Sequence, residues 1–271
     1  MPKHEAGDRP THREPKMRKM ASIDLGGWHT VGGRRASNRG VLFEKMVTFN
    51  VAFRLFTETA EAFSVCSDHG DYGKFQDLVV VIPGKDGRKA TVDAIELKHS
   101  RQELGDRHFS PSNGKVRLTA FLKSFRDKRS TLEACDRLTI GTNNTLDSSV
   151  AGNFRPTSDG VWYLGERDMW ALEEGSQLRR DLGGASDKDV ETFSEKLRFA
   201  TAIPDADALR DRITRKLGEI YGAEGYSGTA LMSLYLHFKD NFEQWYDHEP
   251  RAVTRDMMEG FVDKAKDAVK V

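Results

Sequence analysis

Three residues, Asp77, Glu96 and Lys98, have the types and the spacing to bind a divalent cation and to act on a phosphodiester. They flank the segment PGKDGRK, whose Asp86-Gly87 pair is the strongest two-residue hairpin signal, because a type I′ turn needs φ > 0 at both central positions. With those two residues at the centre, Val81 faces Val92, Val79 faces Ala94 and Asp77 faces Glu96. Directly opposed side chains have Cβ atoms about 4.5–5.5 Å apart. Lys98 lies two residues beyond Glu96 and points to the same face. Two carboxylates that close repel each other unless a cation neutralises them. Mg²⁺ suits the task, because it takes a few carboxylate oxygens and completes its shell with water and phosphate; Mn²⁺ could replace it. Pro83 cannot donate to a ladder, so a wider loop that shifts the opposing partner stays open. An isolated ExK tripeptide would mean only a solvated strand end. The hairpin is what gives this one a partner.

Glu44 extends the set. Its neighbours one and two helical turns away in VLFEKMVTFNVAFRLF include Val41, Val47, Thr48 and Val51. A glutamate in so apolar a surface is costly to bury alone. A metal at Asp77 and Glu96 would partner it; the edge of the apolar face is the alternative. Positive charge gathers after the hairpin at Lys115, Arg117, Lys123, Arg126, Lys128 and Arg129, opposed locally by Asp127 alone. On a helix, Lys123, Arg126 and Arg129 form a stripe suited to phosphate contacts, or simply a solvated face. His99 and His108 could touch phosphate, move a proton or make structural hydrogen bonds.

The elements that must position these groups follow from hydrophobic periodicity. Residues 41–58 read as an amphipathic helix apolar over more than half its circumference. Strands are expected at 62–66, 75–82, 90–98 and 137–142, with a fifth at 161–164, and a helix at 116–134. Beyond residue 168 helical periodicity dominates, with candidates at 168–181, 187–200, 205–222, 227–246 and 253–268. The layout is an α-β-β-β-α-β core at 40–165 followed by a helical region at 166–271 packed on it. Residues 1–39 are polar and basic, the composition of a flexible tail.

Composition narrows the function class. The 271 residues are 38% hydrophobic, enough for a core, and carry 42 basic and 42 acidic side chains. A balanced total leaves a nucleic-acid partner open, because clustering on one face is what matters. Two cysteines, Cys66 and Cys135, lie outside any CxxC pair, which argues against a disulfide scaffold or zinc site. Cys66, in a strand pattern, reads as a small buried apolar group. Trp162, Trp170, Trp245, Tyr221 and Tyr235 read as packing residues. No apolar run approaches the ~18–20 residues of a membrane span, and the first residues lack a secretory apolar stretch. The expected location is cytoplasmic, with no membrane partner.

The order of helix with Glu44, strand, Asp77, hairpin, Glu96-Leu97-Lys98, helix and strand resembles the restriction-endonuclease-like PD-(D/E)xK nucleases. RGVLFEKMVTFNVAFRLF, GKFQDLVVVI, IELKHS and LTAFLKSFRDKRSTLEACDRLTIGTNN are similar to one branch, the double-stranded-DNA nuclease domain of bacterial antiphage effectors. FSEKLRFATAIPDADALRDRITRKL is similar to the helical part that follows there. The chain departs from that pattern at Gln76, where relatives often have an acid, and at Glu96, where many have glutamine. The resemblance implies a Mg²⁺-dependent endonuclease of low sequence specificity acting in antiviral defence. In it Asp77, Glu96 and the Leu97 carbonyl would hold the metal and Glu44 a second ion or its water. Lys98 would orient the attacking water or stabilise charge. Double-stranded DNA, a sensor or ATPase protein and further copies of the chain are the implied partners. Two alternatives stand beside it: an inactive nuclease-fold module for binding or oligomerisation, and an RNA-directed nuclease.

Overall fold

The computed structural model describes residues 38–85, 87–157, 169–183, 187–248 and 252–269. The basic tail up to residue 37, Asp86 and the strand expected at 161–164 with Trp162 lie outside them. The chain enters through α1 (Asn38–Glu58) and β1 (Ser64–Cys66), turns through a 3-10 segment (Gly70–Phe75), and forms the hairpin β2 (Leu78–Ile82) and β3 (Thr91–Lys98). Short α2 (Asp106–Phe109), α3 (Leu118–Asp127) and α4 (Arg129–Leu132) lead to β4 (Arg137–Thr142). Next come α5 (Ser148–Ala151), β5 (Phe154–Thr157), β6 (Met169–Leu172), α6 (Gln177–Asp181), α7 (Lys188–Lys196) and β7 (Leu197–Ala200). The chain continues through α8 (Ala206–Tyr221), α9 (Gly228–His248), β8 (Val253–Thr254) and α10 (Arg255–Val269).

All the strands join one eight-stranded mixed sheet in the order β5-β6-β7-β4-β3-β2-β1-β8. The hairpin pairs Val79 with Ala94 and Val81 with Val92, the register expected from the Asp-Gly turn. Gly87 supplies φ +81 and the Arg88 N–H donates to the Lys85 carbonyl at 3.0 Å, closing a tight turn. β3, β4 and β7 run parallel at the centre. Strands buried on both faces read as continuous apolar runs, as LVVVI does.

Each face of the sheet carries its own core. Leu78, Val80, Ile95 and Leu97 pack with α1, α8, α9 and α10 through Phe49, Phe53, Ile213, Phe238 and Phe242. Val79, Val81, Ala94 and Ile140 pack on the other side with Phe121, Phe125 and Phe193 of α3 and α7. Period-two alternation forces this division: neighbours in one strand cannot share a face. Cys66 is fully buried in the second core, and burial pushes both thiols up to about 12.

Four expected elements change form. MWAL at 169–172 is not the start of a helix; it pairs with β5 and β7 as strand β6. The helix expected at 187–200 stops at Lys196, and LRFA becomes β7 beside β4. Four apolar residues suit either period, and an available sheet edge decided for the strand. The helix expected at 116–134 breaks at Lys128 (φ −116°, ψ 31°). Strand β2 starts at Leu78, because Gly70–Phe75 winds into the 3-10 segment. The sheet therefore draws strands from both sides of residue 165, while α8, α9 and α10 pack on one of its faces.

The 3-10 segment depends on Gly73, at φ +58° and ψ −117°. A Cβ there would run into Ser124 Oγ of α3, which accepts the Lys74 N–H at 2.9 Å. Gly73→Ala is expected to destabilise the fold by about 1–3 kcal/mol, the cost of a backbone conformation that L-residues avoid. Urea unfolding measures this; an unchanged midpoint would show that the segment re-forms without strain.

Candidate active site

One residue before β2, Asp77 continues the hairpin register and falls opposite Glu96, on the face shared by Val79, Val81 and Ala94. The ladder has already ended on that side. The Asp77 side chain takes its place, with Oδ2 accepting the Leu97 N–H at 2.9 Å. That bond fixes the carboxylate against β3. Asp77 and Glu96 are both buried, at 9% and 8% exposure. Lys98 Nζ reaches Glu96 Oε1.

Burial pushes the Glu96 carboxyl from its ordinary 4.5 up to about 8; Asp77 adds to the rise, and Lys98 and Lys74 oppose it. The physical content is a like-charged pair held out of water without enough positive charge to keep both members ionised. A divalent cation would supply the missing charge, and two carboxylates are the protein share that Mg²⁺ commonly uses. The donor set fits such an ion. Lys74 was not anticipated from the sequence. Its proximity depends on the Gly73 turn, which has no periodic signal.

Glu44 does not complete a trio. Among the described residues no group of three or more His, Cys, Asp or Glu side chains forms a metal-binding set. The reason is the division of faces: α1 packs against Leu78, Val80, Ile95 and Leu97, whereas Asp77 and Glu96 point to the opposite side. Glu44 stays half-buried on α1. The first turns of α1 do reach the end of β3, where the Phe43 ring meets His99 edge-on at 5.7 Å.

Beyond Lys98 the chain opens into a cavity of about 570 Å³ lined by His99, Arg101, Arg107, His108, Asn113 and Lys115. Two consecutive asparagines after β4 latch its floor: Asn143 and Asn144 donate to the Ser100 carbonyl at 2.9 and 2.6 Å, and Asn143 Oδ1 accepts the Ser100 N–H. These parallel strands end on the same side, where open α/β sheets place their ligands. His108 is structural, its Nδ1 accepting the Gly105 N–H at 3.0 Å. His99 is held below its ordinary pKa by burial and by Lys115, Arg39 and Arg101. A cation-rich field of this kind attracts anions.

The basic stripe is corrected. Arg126 pairs with Asp187 and Asp189, and Arg129 with Glu133 and, at 2.9 Å, Asp189. The first turn of α7 brings acids that the local sequence does not contain, so both arginines, though partly exposed, have carboxylate partners within the fold. Arg117, Lys123 and Lys128 remain exposed. Of the six basic residues singled out, Lys115 alone lines the cavity; Arg101 and Arg107, which join it there, gave no clustered signal.

No family model matches the chain, and no curated protein matches it. Similar solved structures include the Acinetobacter baumannii Cap4 SAVED/CARF-domain containing receptor with the cyclic trinucleotide 3′3′3′-cAAA, at 11% identity and a TM-score of 0.49, covering 86% of this chain and 46% of that one. The Moraxella osloensis Cap4 SAVED/CARF-domain containing receptor matches at 13% identity and a TM-score of 0.44, covering 84% and 48%. The chain thus spans about half the length of these receptors. Both are SAVED/CARF-domain receptors, the first of them with a cyclic trinucleotide bound, and the assignment to the PD-(D/E)xK nucleases is withdrawn. It rested on short segments, and an apolar hairpin ending in two acids and a lysine reproduces them without common membership.

The raised Glu96 carboxyl makes stability depend on pH. Between about pH 4.5 and 8 the folded chain holds a proton that the unfolded chain has released, so metal-free protein should lose stability as pH rises across that window. Glu96→Gln should flatten the slope. Chemical denaturation in chelator at several pH values tests it, and an equal slope in both proteins would show that Glu96 ionises normally.

Proposed function

We propose that the chain is a metal-dependent endonuclease that hydrolyses phosphodiester bonds of double-stranded DNA with low sequence specificity. The observation that carries this reading is the buried Asp77–Glu96 pair with Lys98 against it, at the end of the strand whose next residue, His99, lines a cationic cavity. A structural ion pair alone would not place a second acid where it raises the cost of ionising Glu96. Asp77 and Glu96 would hold Mg²⁺ or Mn²⁺, and the ion, when bound, would polarise the scissile phosphate and ease deprotonation of water.

The protein's own groups do the rest. Glu96 gives up its proton on loading, and Lys98 then turns from Glu96 toward the developing negative charge of the phosphorane. Arg101, Arg107 and Lys115 hold the flanking backbone phosphates. Contacts of that kind carry no base information, hence the low specificity. Among the described residues no helix is long and apolar enough to cross a membrane. An immune-effector role belongs to the same proposal, with a cyclic oligonucleotide as the signal, a sensor or ATPase partner, and assembly of several copies.

Purified protein with plasmid and Mg²⁺ should nick and linearise duplex DNA, and Glu96→Gln or Lys98→Ala should abolish cutting while the fold persists. Cutting by Glu96→Gln at the wild-type rate would remove the catalytic assignment, and cleavage of RNA in place of the plasmid would reassign the substrate. Mg²⁺ should also raise the melting temperature as RT ln(1 + [L]/Kd) requires, and Asp77→Asn should lose that rise.

Binding has its own signature. Each of Arg101→Ala and Lys115→Ala should reduce the slope of log K against log salt by about 0.9 at every duplex sequence tested. Arg126→Ala should leave it nearly unchanged, because that charge is already neutralised. The reverse pattern would move the DNA path to α3.

A further inference from the structure

A second polar pocket lies on the other face of the sheet, between α1 and α8, away from the carboxylate pair. It encloses about 180 Å³ and is walled by Asn50, Arg54 and Glu58 of α1 and by Arg212, Arg215 and Glu219 of α8, with Lys216 beside them. The spacing puts these groups on facing stripes of the two helices. Within the pocket Arg54 pairs with Glu58 at 3.2 Å and Lys216 with Glu219 at 3.0 Å. Arg212 and Arg215 make no hydrogen bond or ion pair with any described residue, and Arg212 is half-buried. Within the lining, four cations face two carboxylates.

Asn50 gives the independent observation. It is 2% exposed, and its Oδ1 has no hydrogen-bond partner. A buried amide oxygen without a partner costs about 1–3 kcal/mol, and an arginine half out of water beside it adds to the cost. Apolar residues at both positions would join α1 to α8 more cheaply. The arrangement becomes favourable when a small anion with both acceptor and donor capacity fills the pocket. A hydrogen phosphate, or a phosphate monoester in its singly protonated form, has that chemistry, its oxygens accepting from the arginines and its hydroxyl donating to the amide oxygen. The volume equals about six waters at roughly 30 Å³ each. That holds a phosphate group and falls below the ~300 Å³ at which pockets begin to take drug-sized ligands.

We propose that the α1–α8 pocket is a phosphate-binding site, built on Arg212, Arg215 and Asn50, for a small phosphorylated molecule. A duplex cannot enter so narrow a recess, so the ligand is distinct from the substrate proposed above. The site does not depend on nuclease activity.

Thermal unfolding in chelator, with inorganic phosphate or adenosine monophosphate added against chloride at matched ionic strength, tests the assignment. The melting temperature should climb logarithmically with phosphate. Arg212→Gln should weaken binding about 10-fold or more, since it removes a charge-assisted hydrogen bond. Arg215→Gln, at an exposed position that cannot compromise folding, should weaken it in the same direction. The double variant Arg101→Gln/Lys115→Gln should keep the part of the rise that Arg212→Gln removes. A rise undiminished by Arg212→Gln, or one that vanishes in Arg101→Gln/Lys115→Gln, would overturn the site, as would no rise beyond that of chloride. Unaltered phosphate binding with lost duplex binding in Arg212→Gln would assign the arginines to nucleic acid and overturn it equally. A greater rise with the monoester than with inorganic phosphate would identify the esterified form as the ligand.

Discussion

Antiparallel pairing of β2 with β3 commits every side chain of both strands to one side of the sheet, and a slip of one residue would exchange the two sets. The observed register sends Leu78, Val80, Ile95 and Leu97 to the core under α1 and Asp77, Val79, Val81, Ala94 and Glu96 to the other side. With β2 and β3 buried on both faces, a slipped register would set acids against Phe49 and Phe53. Hydrophobic burial thus fixes the carboxylate pair, although neither acid adds to the core. The Asp77 bond to the Leu97 N–H completes the hold where the backbone ladder has run out.

A pair fixed in this way is electrostatically incomplete. Lys98 and Lys74 offset part of the repulsion, yet Glu96 remains pushed toward its protonated form. Such a site is a local loss of stability that the surrounding apolar packing must absorb, and a divalent ion would relieve it. The same logic, with the opposite sign, applies between α1 and α8, where arginines outnumber their acids and an amide lacks a partner. Among the described residues, each face of the sheet therefore carries a polar site with an excess of one sign of charge.

A net charge of zero conceals this distribution. Arg126 and Arg129 look available along the sequence, but α7 brings Asp187 and Asp189 against them. Arg101, Arg107 and Lys115 look scattered, but the asparagine latch after β4 gathers their loop into one cavity. The meaning of a basic residue here depends on which acid the fold carries to it.

The sequence by itself determined the hairpin, its register and the common side of Asp77, Glu96 and Lys98, because a two-residue turn and period-two alternation act over a few neighbouring residues. It also determined α1, α8, α9 and α10, whose apolar periodicity runs over many turns. Tertiary structure alone decided that Met169–Leu172 and Leu197–Ala200 would be strands, since a four-residue apolar run takes the form of the edge it meets. It likewise decided that Glu44 and the acid pair form no three-residue metal set among the described residues, since α1 packs on the opposite face. The pairing of Arg126 with Asp187 joins residues 61 apart. No local pattern encodes such contacts, because the entropy of closing that loop is recovered only through packing of the whole sheet and its helices.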